Sequence, residues 1–419
     1  MTATPKLHRV SIRTIITLLL IVVLSSSVAA GGFSIDGYLK NYSSVYEFPN
    51  FRLMDYQIDP PPLGSVNNRL RLNSRWRITS WLSSNVAYDL EARTQDRTLF
   101  STEAISGSVG RTYRIDDLKR RFYPDDDQIS SFGLYQNLDR ALLAFRVKQL
   151  NLYVGRQAIS WGSSKIVNPT DILAPFSYST LDTEDRYGVD AIRARLALGM
   201  LSELDLGVVA GQDFKGRNSA AYVRYKTYLA RTDIAAMVIG FRENLMVGLD
   251  ITRSIGSAGG WLEVANVWPK LLQPDSNIRP DNYWRATIGA DYNLGTNTYG
   301  FIEYHYNQPG ESDPANYSSL INSAAYTDGA VYLMGEHYLT PGITHQLTPL
   351  VTTSAEALWN LSDLSTYIAL SVEYNLAENV YLSGGGYLGF GSGPENEFRL
   401  ESEFGSYPDT FYGSFRYYF

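Results

Sequence analysis

Cysteine is missing from all 419 residues. Without it an exported chain holds its fold by backbone pairing and packing, cannot attach c-type haem through C-x-x-C-H, and offers no thiolate set to a structural metal. Histidine is scarce, at four residues. No H-E-x-x-H and no recognisable Ser–His–acid grouping accompanies it, so the chain is read as not an enzyme, with no catalytic residue, no metal and no cofactor. Long apolar runs are absent beyond the first 30 residues; none approaches the ~20 residues of an α-helical span. An excess of basic charge is also absent. The formal net charge is −7, and Lys6, Arg9 and Arg13 belong to the N-terminal leader. An acidic chain is a poor partner for nucleic acid.

The leader itself is informative. Those three basic residues precede the apolar run Ile15 to Leu24, and Val28 and Ala30 occupy small-residue cleavage positions. This predicts a signal peptide over residues 1–30 and export of 31–419 as one domain. Aromatic residues are abundant instead, with 31 Tyr, 17 Phe and 7 Trp. An apolar content of 44% with negative mean hydropathy suits a membrane protein only if each spanning segment is apolar on one face. Transmembrane β-barrels meet that condition and carry aromatic girdles at both interfaces.

Period two recurs along the chain. In "NRLRLNSRWRI", Leu70, Leu72, Trp76 and Ile78 share one face, and Arg69, Arg71, Arg75 and Arg77 share the other. "NVAYDLEAR" sets Val86, Tyr88, Leu90 and Ala92 against Asp89, Glu91 and Arg93, and "AIRARLAL" sets Ile192 and Leu196 against Arg193 and Arg195. A soluble sandwich explains one such strand, but not about 18 of them. The predicted fold is all-β: a transmembrane antiparallel barrel of about 16–18 strands, closed because only closure satisfies every edge in lipid, and polar inside. Short connections ("LGMLSE", "GFREN", "NLAEN") are expected on one rim. Long polar loops, the longest about 94–140, are expected on the extracellular rim. The last strand, "TFYGSFRYYF", alternates Phe411, Gly413, Phe415 and Tyr417 behind a final Phe419. This resembles the C-terminal signature that barrel-assembly machinery recognises in bacterial outer-membrane proteins.

Alternation places a set of charges in the lumen: Arg69, Arg71, Arg75, Arg77, Asp89, Glu91, Arg93, Arg193, Arg195, Arg224, Asp250 and Glu303. Basic positions gather on early strands and acids on later ones. One reading is a transverse field that orients polar solutes; the other is cross-strand ion pairs that fill a polar interior.

One stretch departs from the pattern: "GRQAISWGSSKIVNPTDILAPF", Gly155 to Phe176. A phosphate loop requires G-x-x-x-x-G-K-[ST], and here Gly162 is followed by Ser163, Ser164 and Lys165 with no glycine at the required spacing. The structural alternative is a loop folded over or into the barrel mouth, with Arg156 and Asp171 as inward anchors. Strict alternation would drive Arg156 into lipid, so a bulge is expected at Gly155. The block, carried by Gly155, Arg156, Gln157, Trp161, Gly162, Asn168, Pro169, Asp171, Pro175 and Phe176, resembles a group of porin-type outer-membrane proteins of Gram-negative bacteria, whose early strands carry G-R-Q, W-G and N-P-x-D-x-x-x-P-F. That resemblance implies an outer-membrane location, lipid and the assembly machinery as partners, and a channel for small hydrophilic solutes or ions. Similar barrels in some metal-reducing bacteria sheathe multihaem cytochromes, which leaves an electron-conduit scaffold as the alternative. A homo-oligomer is compatible with either.

Overall fold

In a computed structural model, all residues are described except 1–27, 31, 54–55, 100–111, 116–117, 125–127, 177, 179, 274–279 and 397–398. The predicted signal peptide lies outside the described residues, apart from the backbone of Val28–Ala30, which runs antiparallel to Phe33–Ile35. Eighteen strands form the wall: β1 (Phe33–Glu47), β2 (Leu63–Arg77), β3 (Leu82–Gln95), β4 (Phe132–Val147), β5 (Leu150–Ala158), β6 (Gly188–Ala197), β7 (Ser202–Ala210), β8 (Ala220–Leu229), β9 (Thr232–Phe241), β10 (Asn244–Ile255), β11 (Ala258–Trp268), β12 (Tyr283–Asn293), β13 (Thr298–Asn307), β14 (His337–Thr348), β15 (Val351–Asn360), β16 (Thr366–Ala377), β17 (Val380–Phe390) and β18 (Asp409–Tyr418). Each pairs antiparallel with its neighbours in sequence, and β18 pairs back onto β1 from Tyr38↔Tyr418 to Glu47↔Asp409. No edge remains, which is the requirement for a sheet in hydrocarbon.

The outer face is apolar because the alternating aliphatic residues have nowhere else to go. Val86, Leu143, Ile192, Val208, Val238, Ile288, Ile302 and Leu370 are exposed across the middle of the wall. Trp76, Tyr292 and Tyr374 mark its lower end, Trp284, Trp359 and Phe390 its upper end. An apolar surface this continuous is incompatible with water and suits a bilayer. Eight connections of two to four residues lie on the lower rim among the described residues, and the long loops 48–62, 96–131, 159–187, 269–282, 308–336 and 391–408 lie on the upper one.

One expected turn falls on the other rim. Arg242 and Glu243, within "GFREN", do make a two-residue connection, but it joins β9 to β10 among the long loops. Both residues have positive φ, +46° and +70°, as a tight type I′ hairpin requires. The upper rim there is bridged by the loop 308–336: Arg242 donates to Thr327 O at 3.0 Å and pairs with Asp328 at 2.8 Å.

The interior also departs from expectation, because it is not polar throughout. Val189, Val209, Met237, Ile239, Phe241 and Met246 point inward near the upper rim, where they bury Ile159, Trp161, Ile172 and Leu173 of the loop 159–187. In "AAMVIGF", Ala235 to Phe241, alternation is lost because both faces of β9 are covered, one by lipid and one by this loop. The barrel wall thus supplies one half of a core, and the loop 159–187, joined by Tyr113 and by Ala325, Ala330 and Val331 of the loop 308–336, supplies the other half.

Candidate functional site

The loop 159–187 leaves the top of β5, follows the inner wall around the lumen and returns to the top of β6. Its first part meets the acids of β10 to β13. Glu263, fully buried, accepts from Ser163 N (3.2 Å), Ser164 N (3.4 Å), Ser164 Oγ (3.0 Å), Thr170 N (2.8 Å) and Thr170 Oγ1 (2.7 Å). Glu303 accepts three consecutive backbone N–H groups, Lys165 at 2.7 Å and Ile166 and Val167 at 3.2 Å, together with Trp261 Nε1 at 3.0 Å. Successive N–H groups curled around one carboxylate form an anion nest. Asp250 takes Ser163 Oγ, and Lys165 reaches Asp291 at 3.5 Å while lying over the Trp261 ring. Asp250 and Glu303 therefore hold the loop rather than stand free in the lumen.

Local chemistry explains why this stretch makes the path. Gly162 has φ +107°, and a Cβ there would lie 2.1 Å from Asn168 Oδ1. The turn at Asn168 and Pro169 is closed by Asp171 N donating to Asn168 O at 3.1 Å. Trp161 packs edge-on against Tyr222, 4.6 Å between ring centroids. Asp171 is buried and accepts from Arg186 Nη1 at 3.0 Å; burial pushes its carboxyl up to about 7 against that partner. The same guanidinium donates to Ala174 O at 2.7 Å and lies 4.0 Å over the Phe176 ring, beside Pro175. Arg186 thus ties the end of the loop to its middle.

Arg156 forms a double contact with Asp190, Nε–Oδ1 at 2.8 Å and Nη2–Oδ2 at 2.9 Å, and donates to Leu138 O. The segment before β4 helps bury that pair, since Ile115 N donates to Asp190 Oδ2 at 2.9 Å. The bulge expected at Gly155 is not there. Pairing with β4 and β6 runs through Gly155 without a shift, and the glycine instead adopts φ +115°, with Ala141 O only 2.2 Å from where a Cβ would stand. The register shift lies on the neighbouring strand, where Ala87↔Arg140 is followed by Tyr88↔Leu138 and Asp139 is the extra residue. A mirror-image backbone at one glycine redirects the chain without adding a residue.

The second part of the loop meets the basic wall. Lys40, fully buried, pairs with Asp182 at 3.0 Å and Glu184 at 2.6 Å. Arg69 bridges Asp89 and Asp182, both at 3.0 Å, and Arg71 contacts Asp89 (3.2 Å), Asp139 (2.9 Å) and Asp185 (3.4 Å). Tyr38 and Tyr418 donate to Asp185 and Glu184 at 2.5 and 2.7 Å. Burial would raise the Asp182 carboxyl, but Lys40 and Arg69 outweigh it and hold it below the usual range. The loop offers N–H groups to the acidic wall and carboxylates to the basic one, so it is complementary to the lumen along both halves.

The remaining candidates sit above and below this level. Glu91 is buried with Arg93 at 3.2 Å and Arg120 at 3.5 Å, and Arg93 lies over Tyr135. Below the loop, Arg193 pairs with Asp205 at 2.5 Å and Arg195 with Glu203 at 2.7 Å, while Arg224 lines the same recess without a direct ion pair among the described residues. Arg75 pairs with Asp36, and Arg77 and Arg146 line a recess of about 1020 Å³ beside the lower ends of β1 to β5. At the last strand, Phe411 and Phe415 are exposed outward, and Phe419 and Gly37 exchange backbone bonds at 2.9 and 3.0 Å beside Tyr417.

Sequence reasoning passed over Lys40, Asp139, Arg186 and the acids Asp182, Glu184 and Asp185. The signal available was "LDTEDR", three acids in one loop opposite a lumen wall rich in arginine.

A second cluster joins loops of the upper rim. Glu403 of the loop 391–408 is fully buried, accepts from Met334 N at 3.0 Å, Asn360 Nδ2 at 2.9 Å and the Tyr338 hydroxyl, and is pushed by burial up to about 7. Asp363 accepts from Glu403 N at 2.7 Å and Tyr317 OH at 3.0 Å. Three upper loops are thereby clasped together over the lumen.

No family model and no curated relative matches the chain. Solved structures do. OccK5 (OpdH) of Pseudomonas aeruginosa is 10% identical with a TM-score of 0.53, over 93% of this chain and 99% of that one. OccAB4 of Acinetobacter baumannii is 9% identical with a TM-score of 0.52, over 92% and 98%. The outer membrane protein opdK of Pseudomonas aeruginosa is 7% identical with a TM-score of 0.52, over 92% and 98%. At these identities the likeness is one of fold. With its closed wall, aliphatic outer band and aromatic girdles, the chain is a bacterial outer-membrane β-barrel.

Proposed function

We propose that the protein is a passive channel for small hydrophilic solutes or ions, with the loop 159–187 as its constriction. The observation that carries this reading is the lumen itself: a polar, charged wall narrowed by one loop bolted to both sides through Glu263, Glu303, Lys40, Arg69 and Arg71. A constriction that is fixed rather than mobile gives a channel a constant bore. The charges that hold it are neutralised locally, so selectivity rests on the groups left over, chiefly Arg77, Arg146 and Arg224 towards the lower mouth. A sheath around a cytochrome draws no support, because the bore that a haem protein would occupy carries the chain's own loop.

The test is planar-bilayer recording of the purified full chain in KCl, alone and with residues 163–174 deleted. Stepwise conductance that rises on deletion supports a channel with this constriction. A silent wild-type protein refutes the channel; equal conductance in both forms refutes the constriction.

A further inference from the structure

A cavity of about 470 Å³ lies in the lumen beside the loop 159–187, against the inner faces of β15 to β17. Glu356 of β15 lines it, half-buried, and its carboxylate makes no hydrogen bond or ion pair with a described residue. The cations that share the lining are occupied or withdrawn. Lys165 pairs with Asp291 at 3.5 Å and Arg186 with Asp171 at 3.0 Å, while Arg285 sits nearer the upper rim and is almost fully buried in the wall. A carboxylate held away from bulk water without a counter-ion is costly, and a cation brought against it recovers that energy.

The rung that carries Glu356 says what kind of cation. Its cross-strand neighbours are the small residues Gly342 and Ala369, and beyond these stand Phe301 and Tyr387. Small side chains on both flanks leave a trough around the carboxylate, and an aromatic residue stands at each end. Phe301 lies over Gly342, filling the place where a Cβ would stand. From the loop, Tyr178 meets Tyr387 edge-on, 6.2 Å between ring centroids and 87° between planes. Tyr367 backs both rings, 6.1 Å from Tyr178 and 5.7 Å from Tyr387. Tyr178 and Tyr387 are themselves partly exposed on the cavity. Burial and the Glu356 carboxylate together raise the Tyr178 phenol above its ordinary range, so that ring stays neutral beside the carboxylate. Aromatic faces set at right angles around a counter-charge attract an organic cation. A primary ammonium brings three N–H donors that ring faces do not match. A quaternary ammonium has none to satisfy, and its methyl groups carry the charge onto the rings.

We infer that this trough is a binding subsite for a small quaternary ammonium cation, held by charge against Glu356 and by the ring faces of Tyr387 and Tyr178. The inference deepens the channel reading and rests on it, since it names a class of solute that pauses beside the constriction.

The test uses choline as the probe on the purified full chain, with two controls: its uncharged isostere dimethylbutanol and its primary-amine relative ethanolamine. Choline is expected to interrupt the KCl current in brief blocks and to bind in detergent by calorimetry. Dimethylbutanol should do neither, and ethanolamine should bind more weakly. Glu356→Gln should weaken choline binding about tenfold or more. Tyr387→Leu should weaken it about threefold to tenfold and Tyr387→Phe hardly at all, because the phenylalanine keeps the ring face. This second pair reads the site if the glutamine variant fails to assemble. Equal choline binding in wild type and assembled Glu356→Gln or Tyr387→Leu overturns the subsite, as does equal binding of either control. KCl conductance with neither choline block nor heat also overturns it and leaves the channel standing. A protein that conducts nothing but binds choline through Glu356 overturns the channel and keeps the site.

Discussion

Replacing Glu263 tests the loop's attachment at its most concentrated point. The carboxylate is fully buried and accepts five hydrogen bonds from Ser163, Ser164 and Thr170. Bonds to a charged acceptor contribute about 1.5–3 kcal/mol each in isolation, and losing the acceptor also strands the donors at about 1–3 kcal/mol apiece. These terms are not additive, because a released loop re-forms some bonds with water. For Glu263→Ala a net local loss of about 3–5 kcal/mol is reasonable, by analogy with breaking a buried charged pair. At 1.4 kcal/mol per decade this lowers amide protection across 163–170 between about a hundredfold and a few thousandfold. Glu263→Gln should fall between: its oxygen can still serve Thr170, but its NH₂ group faces the N–H groups of Ser163 and Ser164, a conflict of about 2 kcal/mol. The strand ladder is untouched, so the heat-modifiable gel migration of the barrel should persist in both variants. Hydrogen–deuterium exchange by mass spectrometry reads the loop directly, and single-channel conductance should rise with its release. Unchanged exchange over 163–170 in Glu263→Ala, in a barrel that has assembled, would refute the claim that this carboxylate anchors the loop.

Three further outcomes follow from other parts of the wall. Gly155→Ala combines φ +115° with a Cβ 2.2 Å from Ala141 O, so it should cost about 1–3 kcal/mol in backbone strain alone and lower the yield of assembled barrel; a normal yield with wild-type heat stability would contradict the mirror-image backbone. Burial lifts the Glu403 carboxyl to about 7, so the folded clasp keeps its proton where the released loop has lost it. Its contribution is therefore present at low pH and declines as pH rises through about 4.5 to 7. Exchange in 391–408, corrected for intrinsic rates, should be slower at pH 5 than at pH 8, and Glu403→Gln should abolish the difference. Deleting Phe419 should slow assembly and leave degraded chains in the periplasm, whereas an unchanged outer-membrane yield would remove this residue from the assembly signal.

How much of this was legible in the sequence depends on whether the information is local. The alternation of Leu70, Leu72 and Trp76 with Arg69, Arg71 and Arg75 is set by the two-residue pleat, which any reader of the chain can follow. From that period came the all-β class, the approximate strand number and the in-or-out facing of most side chains. The break of alternation at Gly155 to Phe176 likewise marked the inner loop, since glycine and proline interrupt a ladder wherever they occur. Partners were a different matter. Alternation says that Lys40 and Glu263 face the lumen, but not at what height, and height across the curved wall decides which charge meets which; Asp139 faces it only because the register shifts there. The three N–H groups around Glu303 and the seating of Asp182, Glu184 and Asp185 on Lys40, Arg69 and Arg71 join residues more than a hundred positions apart. Only closure of the barrel brings them together, because a loop's path is set by the surfaces it packs on rather than by its own residues.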